Sequence, residues 1–296
     1  MVLNDLYPSF LSSAMALTSI YDLAWNETCS KTGLSSLQLN LLLAAFTFEP
    51  EPVSAALLNI RSPYTSPDLY ESNLKKLGDA GFLEPAAAGG YRLSALGLET
   101  VKGALTAIYA SLAGVMPLGV TKIMDLASRL NELADACLAA PDPPGTWSIQ
   151  HVHRLDPGRG APVMVRIDQF LSELCAFRDD AHLVSWHAYE TNGHAWDILS
   201  YLWQNKSGTA EQINLALNRR GNALADTIKA ADHLGHKGWV MPKNDTLLIT
   251  PFGIEVRQTA EETTDRYYFI PFRNFPDEYL TQTISLLNDF KSGIPS

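Results

Sequence analysis

Apolar positions recur at three- and four-residue intervals in separate stretches: Leu39, Leu42, Leu43 and Phe46; then Ile123, Leu126, Leu130, Leu133 and Cys137; then Val163, Ile167, Phe170, Leu174 and Phe177. That spacing lines one face of a helix in each case. Residues 3–25 and 276–290 also read as helical, whereas 141–162, rich in Pro and Gly, reads as a loop or strap. Residues 36–101 break down further. Ser36 is expected to cap a helix that Glu49-Pro50-Glu51-Pro52 stops, and a short helix follows from about Val53 to Ile60. The turn Arg61–Pro67 leads to a third helix, with Ser66 as N-cap and Pro67 at its first position, ending at about Ala80 with Gly81 as C-cap. Phe82–Glu84 and Tyr91–Leu93 suit two short hairpin strands with Ala86–Gly90 at the tip, and Ser94 caps a further helix.

The same order returns at 193–257. Leu77-Gly78-Asp79-Ala80-Gly81-Phe82 pairs with Leu234-Gly235-His236-Lys237-Gly238-Trp239 at an offset of 157, which also pairs Leu39, Leu42 and Phe46 with Trp196, Leu199 and Trp203. After a one-residue deletion at the hairpin tip the offset is 156, pairing Leu93, Ser94, Gly97 and Glu99 with Ile249, Thr250, Gly253 and Glu255. In the second copy the helices are expected at Ala195–Trp203, Thr209–Leu217 and Asn222–Leu234, followed by a hairpin over Trp239–Ile249 with Pro242–Asp245 at its tip.

This pattern resembles the winged helix-turn-helix transcriptional regulators, most closely the MarR family. There the third helix ends in a Leu-x-x-x-Gly-aromatic/Leu step and Leu-Thr/Ser-x-x-Gly opens a long helix; here Leu77, Gly81, Phe82, Leu93, Ser94 and Gly97 match in the first copy, and Leu234, Gly238, Trp239, Ile249, Thr250 and Gly253 in the second. The resemblance spans about 130 of the 296 residues. It implies a mainly α fold: an N-terminal helix in 1–35, a first module of three helices plus a β-hairpin wing in 36–101, an all-helical linking or dimerisation segment in 102–192, a second module in 193–257 and helices in 258–296. The family's wing usually offers an Asp-x-Arg contact to the minor groove. The first tip, Ala86-Ala87-Ala88-Gly89-Gly90, has no donor side chain, and only the second, with Lys243 and Asn244, has comparable chemistry.

Composition narrows the partners. Only 18% of residues are charged against 46% hydrophobic, below the roughly 25% charge of an average soluble chain, so extra surface is expected to be buried in a domain interface, a homodimer or an intrachain pseudo-dimer. Cys29, Cys137 and Cys175 are odd in number and widely spaced, which suits a reducing compartment and small core side chains. No apolar run approaches a membrane span and the start lacks a basic leader, so a cytoplasmic protein is expected. A net charge of −10 opposes generic nucleic-acid binding, so any contact with double-stranded DNA must come from a local patch.

Chemistry-bearing groups are sparse. All seven histidines fall between 151 and 236, but His182 and His187 are five apart and diverge on a helix, so hydrogen-bonded or surface histidines are favoured over a metal site. Trp147-Ser148 with Arg178-Asp179-Asp180-Ala181-His182 faintly resembles the DinB metal-dependent four-helix family, although Pro157, Gly158, Gly160 and Pro162 interrupt the helix on which that family carries a ligand histidine. Asp179 and Asp180 read as a solvated face, and Trp196 and Trp203 as core. No phosphate loop or nucleophile elbow is present, so no enzyme, cofactor or metal is expected.

Charge ranks the two copies. Residues 36–101 carry four Lys/Arg against seven Asp/Glu, and residues 193–257 carry seven against six, giving −3 and +1. A DNA-binding regulator would then rely on Arg219, Arg220, Asn222 as helix cap, Lys229 and Lys243, and less on Ser66, Lys75, Lys76 and Arg92. The alternatives are a protein-interaction scaffold that never touches DNA and, third, a metal-dependent enzyme.

Overall fold

Helices form where apolar residues recur at helical spacing, and several are opened by a side-chain cap. The computed structural model describes residues 3–295 and is mainly helical. In order, the elements are α1 (Leu3–Thr32), α2 (Ser36–Phe48), α3 (Ala55–Arg61), α4 (Pro67–Asp79), β1 (Leu83–Pro85), β2 (Tyr91–Leu93), α5 (Ala95–Ala113), α6 (Val120–Leu138), α7 (Trp147–His153) and α8 (Val163–His187). There follow α9 (Gly193–Asn205), β3 (Ser207–Gly208), α10 (Ala210–Ala216), a 3-10 turn (Asn218–Arg220), α11 (Leu224–His236), β4 (Val240–Lys243), β5 (Thr246–Ile249), α12 (Pro251–Tyr268), a second 3-10 turn (Pro271–Asn274) and α13 (Asp277–Gly293).

The two similar stretches adopt matching local structure. Strands β1 and β2 pair antiparallel with Leu83 opposite Leu93, as β4 and β5 do with Val240 opposite Ile249. The chain between the first two helices adds to each hairpin: Val53 bridges Tyr91, and β3 pairs with β5 to give the order β3-β5-β4. Gly81 and Gly238 turn the chain at φ +81° and +73°, a region open to glycine. The Ser94 hydroxyl donates to the Gly81 carbonyl at 2.6 Å, and Thr250 donates likewise to Gly238 at 2.7 Å. A Cβ on Gly97 would collide with the Phe82 carbonyl oxygen, and one on Gly253 with that of Trp239. Leu39, Trp196, Leu77 and Leu234 are fully buried, each such side chain contributing roughly 1.5–3 kcal/mol.

Some local expectations shift. Ser35, not Ser36, caps α2 in a reciprocal capping box with Gln38, because its hydroxyl is the one that reaches the N3 amide. Ser66 makes no side-chain cap bond on α4. Asn222 does not cap α11, which starts after Ala223; the Asp226 carboxylate accepts the Ala223 N–H instead. Residues 141–162 are not loop throughout, since they hold α7.

Three apolar clusters divide the interior. The central one joins α1, α6 and α13 with most of α8, so residues 102–192 pack with both terminal segments. The second lies within α2–α5 and the third within α9–α12. Helix α5 passes from the second cluster (Val101, Ala104) into the central one (Ile108, Leu112). Helix α12 passes from the third (Val256, Ala260) to the central one at Tyr268, and α8 runs from the central cluster into the third through Leu183 and Trp186. Among the described residues no helix is long and apolar enough to cross a membrane.

Candidate functional site

The residues singled out as DNA contacts separate into two groups, and the division is made by a joint between the two similar stretches. The turn before α4 closes on the turn before α11. The Arg220 guanidinium donates to Asp197 at 3.0 Å, reaches the Ser62 hydroxyl at 3.4 Å and lies 5.0 Å from the Tyr64 ring. Its carbonyl accepts the Ser66 N–H at 2.8 Å. The Asn222 amide donates to the Tyr64 carbonyl at 3.0 Å, and the Tyr64 hydroxyl accepts from the indole of Trp186 at 3.0 Å. Gly193 lies so close to Pro63 that a Cβ would strike its carbonyl, and a Cβ on Gly221 would press on Leu69. Ser66, Arg220 and Asn222 are therefore parts of an intramolecular interface. The Arg220 guanidinium, the Asn222 amide and the Ser66 N–H are already engaged there.

The other candidates face solvent. Arg219, Lys229 and Lys243 are exposed on the second stretch, and Lys75, Lys76 and Arg92 on the first. Lys75 is paired with Asp79 at 2.7 Å, and Arg92 stands opposite Glu84 across the β1–β2 ladder. Two more cations counted for the second stretch are engaged: Arg257 is buried, bonded to Ser200 and Glu261, and Lys237 donates to the Tyr189 carbonyl. Acids outnumber cations on both third helices, with Asp68, Glu71 and Asp79 against Lys75 and Lys76 on α4, and Asp226 and Asp232 against Lys229 on α11. The outward positions of α10 and α11 include apolar Leu215, Leu224 and Ile228, which are 71%, 37% and 45% exposed. A polar cavity of about 490 Å³ lies at the joint, lined by Asp68 of α4 and by His194, Asp226, Lys229 and His233 of the other stretch.

The histidines are spread among separate structural contacts. His151 stacks on Trp147, His153 bonds Glu173 at 2.9 Å, and His194 bonds Thr227 at 3.1 Å. His182 bonds Thr264, and burial together with the nearby Arg257 pushes its imidazole down to about 4. Asp180 is not on a solvated face: it is buried and accepts the N–H groups of Ser148 and Ile149 at 2.7 and 3.0 Å, pinning the start of α7. Asp179 is half-exposed and pairs with Arg61. Trp196 is fully buried and stacks on Trp186, whereas Trp203 is only partly buried beneath Arg257.

Sequence reasoning missed the joint residues Tyr64, Trp186, Gly193 and Asp197. The glycine at the start of α9 was their one local signal, since a helix start otherwise gains nothing from glycine at its first position. Comparisons of the chain with family models, with curated proteins and with solved structures give no match.

Proposed function

We propose that the chain is a tandem winged helix-turn-helix protein whose two modules, locked turn to turn, form a docking platform for a protein partner. The module reading is supported by the element order: three helices, a strand segment between the first two, and an antiparallel hairpin, twice over. The observation that carries the functional step is the joint. It engages the Arg220 guanidinium, the Asn222 amide and the Ser66 N–H, and the exposed positions of α4 and α11 carry a surplus of acids with apolar Leu224 and Ile228. A duplex meeting that surface would bring phosphate to carboxylate. A partner presenting basic and apolar residues would meet complementary chemistry.

Two measurements test this. Fluorescence anisotropy with a labelled duplex at low salt is expected to show no saturable binding. Site-specific photocrosslinking from position 228 in cells is expected to give a discrete protein adduct that Leu224→Asp abolishes. Saturable duplex binding that is weakened, with a flatter salt dependence, by Arg219→Ala, Lys229→Ala or Lys243→Ala would instead establish the DNA regulator. Absence of any adduct would remove the docking role.

A further inference from the structure

A second cavity, of about 480 Å³, lies away from the joint, between α1, α2, α5 and α8. Its size falls within the range that takes a small organic molecule. Its chemistry is one-sided. Aromatic rings come from Tyr21 and Trp25 on α1 and from Tyr109 on α5, a carboxylate comes from Asp168 on α8, and none of the lining residues is Lys, Arg or His. Several of the other polar groups have partners. The Trp25 indole donates to Ser36, the Tyr21 hydroxyl pairs with Thr18, and the Gln169 amide bonds the Val152 carbonyl and Glu173. Asp168 has no hydrogen-bonding or charged neighbour to offset its burial, and its carboxyl is pushed up to about 7. Its nearness to the rings is felt in turn by Tyr21 and Tyr109, whose phenols it helps to raise.

We propose that this cavity binds an organic ammonium ion, with the Asp168 carboxylate as counter-ion and the rings of Tyr21, Trp25 and Tyr109 around its apolar body. A half-buried carboxylate without a cation is poorly compensated, and a bound ammonium would pair with it. The ring faces add cation–π attraction where the charge is shielded from water. An anion would meet Asp168 and, at the rim, exposed Asp22, with no compensating cation. Binding also settles the protonation of Asp168. The groups facing it are Asp22 and Tyr21 from α1, Tyr109 from α5 with Asp156 behind it, and an uncharged side from α2. None neutralises a carboxylate, so the ligand's charge draws the carboxyl to its ionised form and a proton is released near neutral pH. This inference is independent of what the joint docks.

Isothermal titration at about pH 8 with 4-phenylbutylammonium, 4-phenylbutanol and 4-phenylbutyrate separates charge from apolar fit. The ammonium is expected to bind at least about tenfold more tightly than the alcohol, and the carboxylate most weakly. Asp168→Asn should bring ammonium and alcohol to equal affinity with the far-ultraviolet circular dichroism unchanged, while Asp22→Asn should keep the preference. On the unaltered protein at about pH 7, titrations in buffers of different ionisation enthalpy should show proton release with the ammonium and none with the alcohol. This arm holds whether or not the Asp168 variant folds. Equal binding of the three probes, no binding of the ammonium, a preference that survives Asp168→Asn, or the absence of proton release each overturns the assignment.

Discussion

Replacing Arg220 by Ala tests the joint at the residue that does most to hold it. The change removes the 3.0 Å bond to Asp197, the weaker reach to Ser62 and the contact 5.0 Å above Tyr64. The side chains of Arg220 and Asp197 are only 22% and 18% exposed, so the abandoned carboxylate is poorly rehydrated. A hydrogen bond between charged groups is worth roughly 1.5–3 kcal/mol net, and the ring contact about 0.5–1 kcal/mol. Residual solvent screening trims both. We therefore expect a loss of about 2–3 kcal/mol, whereas Arg219→Ala, one residue earlier on an exposed side chain, should stay within about 0.5 kcal/mol. Urea denaturation followed by circular dichroism gives both values, and a cycle with Asp197→Ala isolates the pair, for which a coupling of about 1–2 kcal/mol is expected. Equal effects at 219 and 220, or a coupling indistinguishable from zero, would refute the reasoning that Asp197 holds the Arg220 side chain in place against Ser62 and Tyr64 of the other turn.

The matching glycines should behave alike: Gly97→Ala and Gly253→Ala are each expected to lower stability by about 2 kcal/mol or more, because the added methyl meets a backbone carbonyl that cannot yield. Gly103→Ala, inside α5 with nothing within 4 Å of the new methyl, should instead raise stability by up to about 1 kcal/mol, and thermal melts of the three variants decide between these signs. Asp168, with its carboxyl raised to about 7 by burial, holds its proton in the folded chain after the unfolded chain has lost it. Its contribution is fully present below about pH 4 and is lost as pH rises through about 7, so a stability profile over that window should flatten in Asp168→Asn. His182, pushed down to about 4, works in the opposite sense. It favours the folded state above about pH 6.5 and loses that contribution as pH falls through about 4, so His182→Asn should weaken the acid-side decline.

What could be read in the chain was local. The Gly81 and Gly238 turns, the Ser94 and Thr250 caps and the close approach of Gly97 and Gly253 each depend on residues within about fifteen positions, and their repetition made two matching stretches visible. The joint was not visible, because it is made by residues some 120–160 positions apart, and nothing next to Arg220 separates it from Arg219. Helix α7 escaped for a related reason: its first amide groups are satisfied by Asp180, more than thirty residues away, so a Pro/Gly-rich segment without a strong local cap still starts a helix. The cavity escaped because Asp168 lies on a helix whose apolar face was legible, and an acid beside such a face reads as exposed until neighbouring helices enclose it.

The passage of α5 and α12 from the two similar stretches into the central core bears on how the molecule can come apart. A fragment ended at 101, or at 257, would cut one of these helices and take Ala104, or Ala260, away from the cluster it packs in. Each repeated stretch thus lacks a clean seam, and α8 stitches the centre to the second stretch besides. The duplicated parts are not beads on a thread. They share rafters with the hall they flank, so that excising one as an autonomous unit, or letting it melt while the remainder stands, exposes apolar surface in two interiors at once.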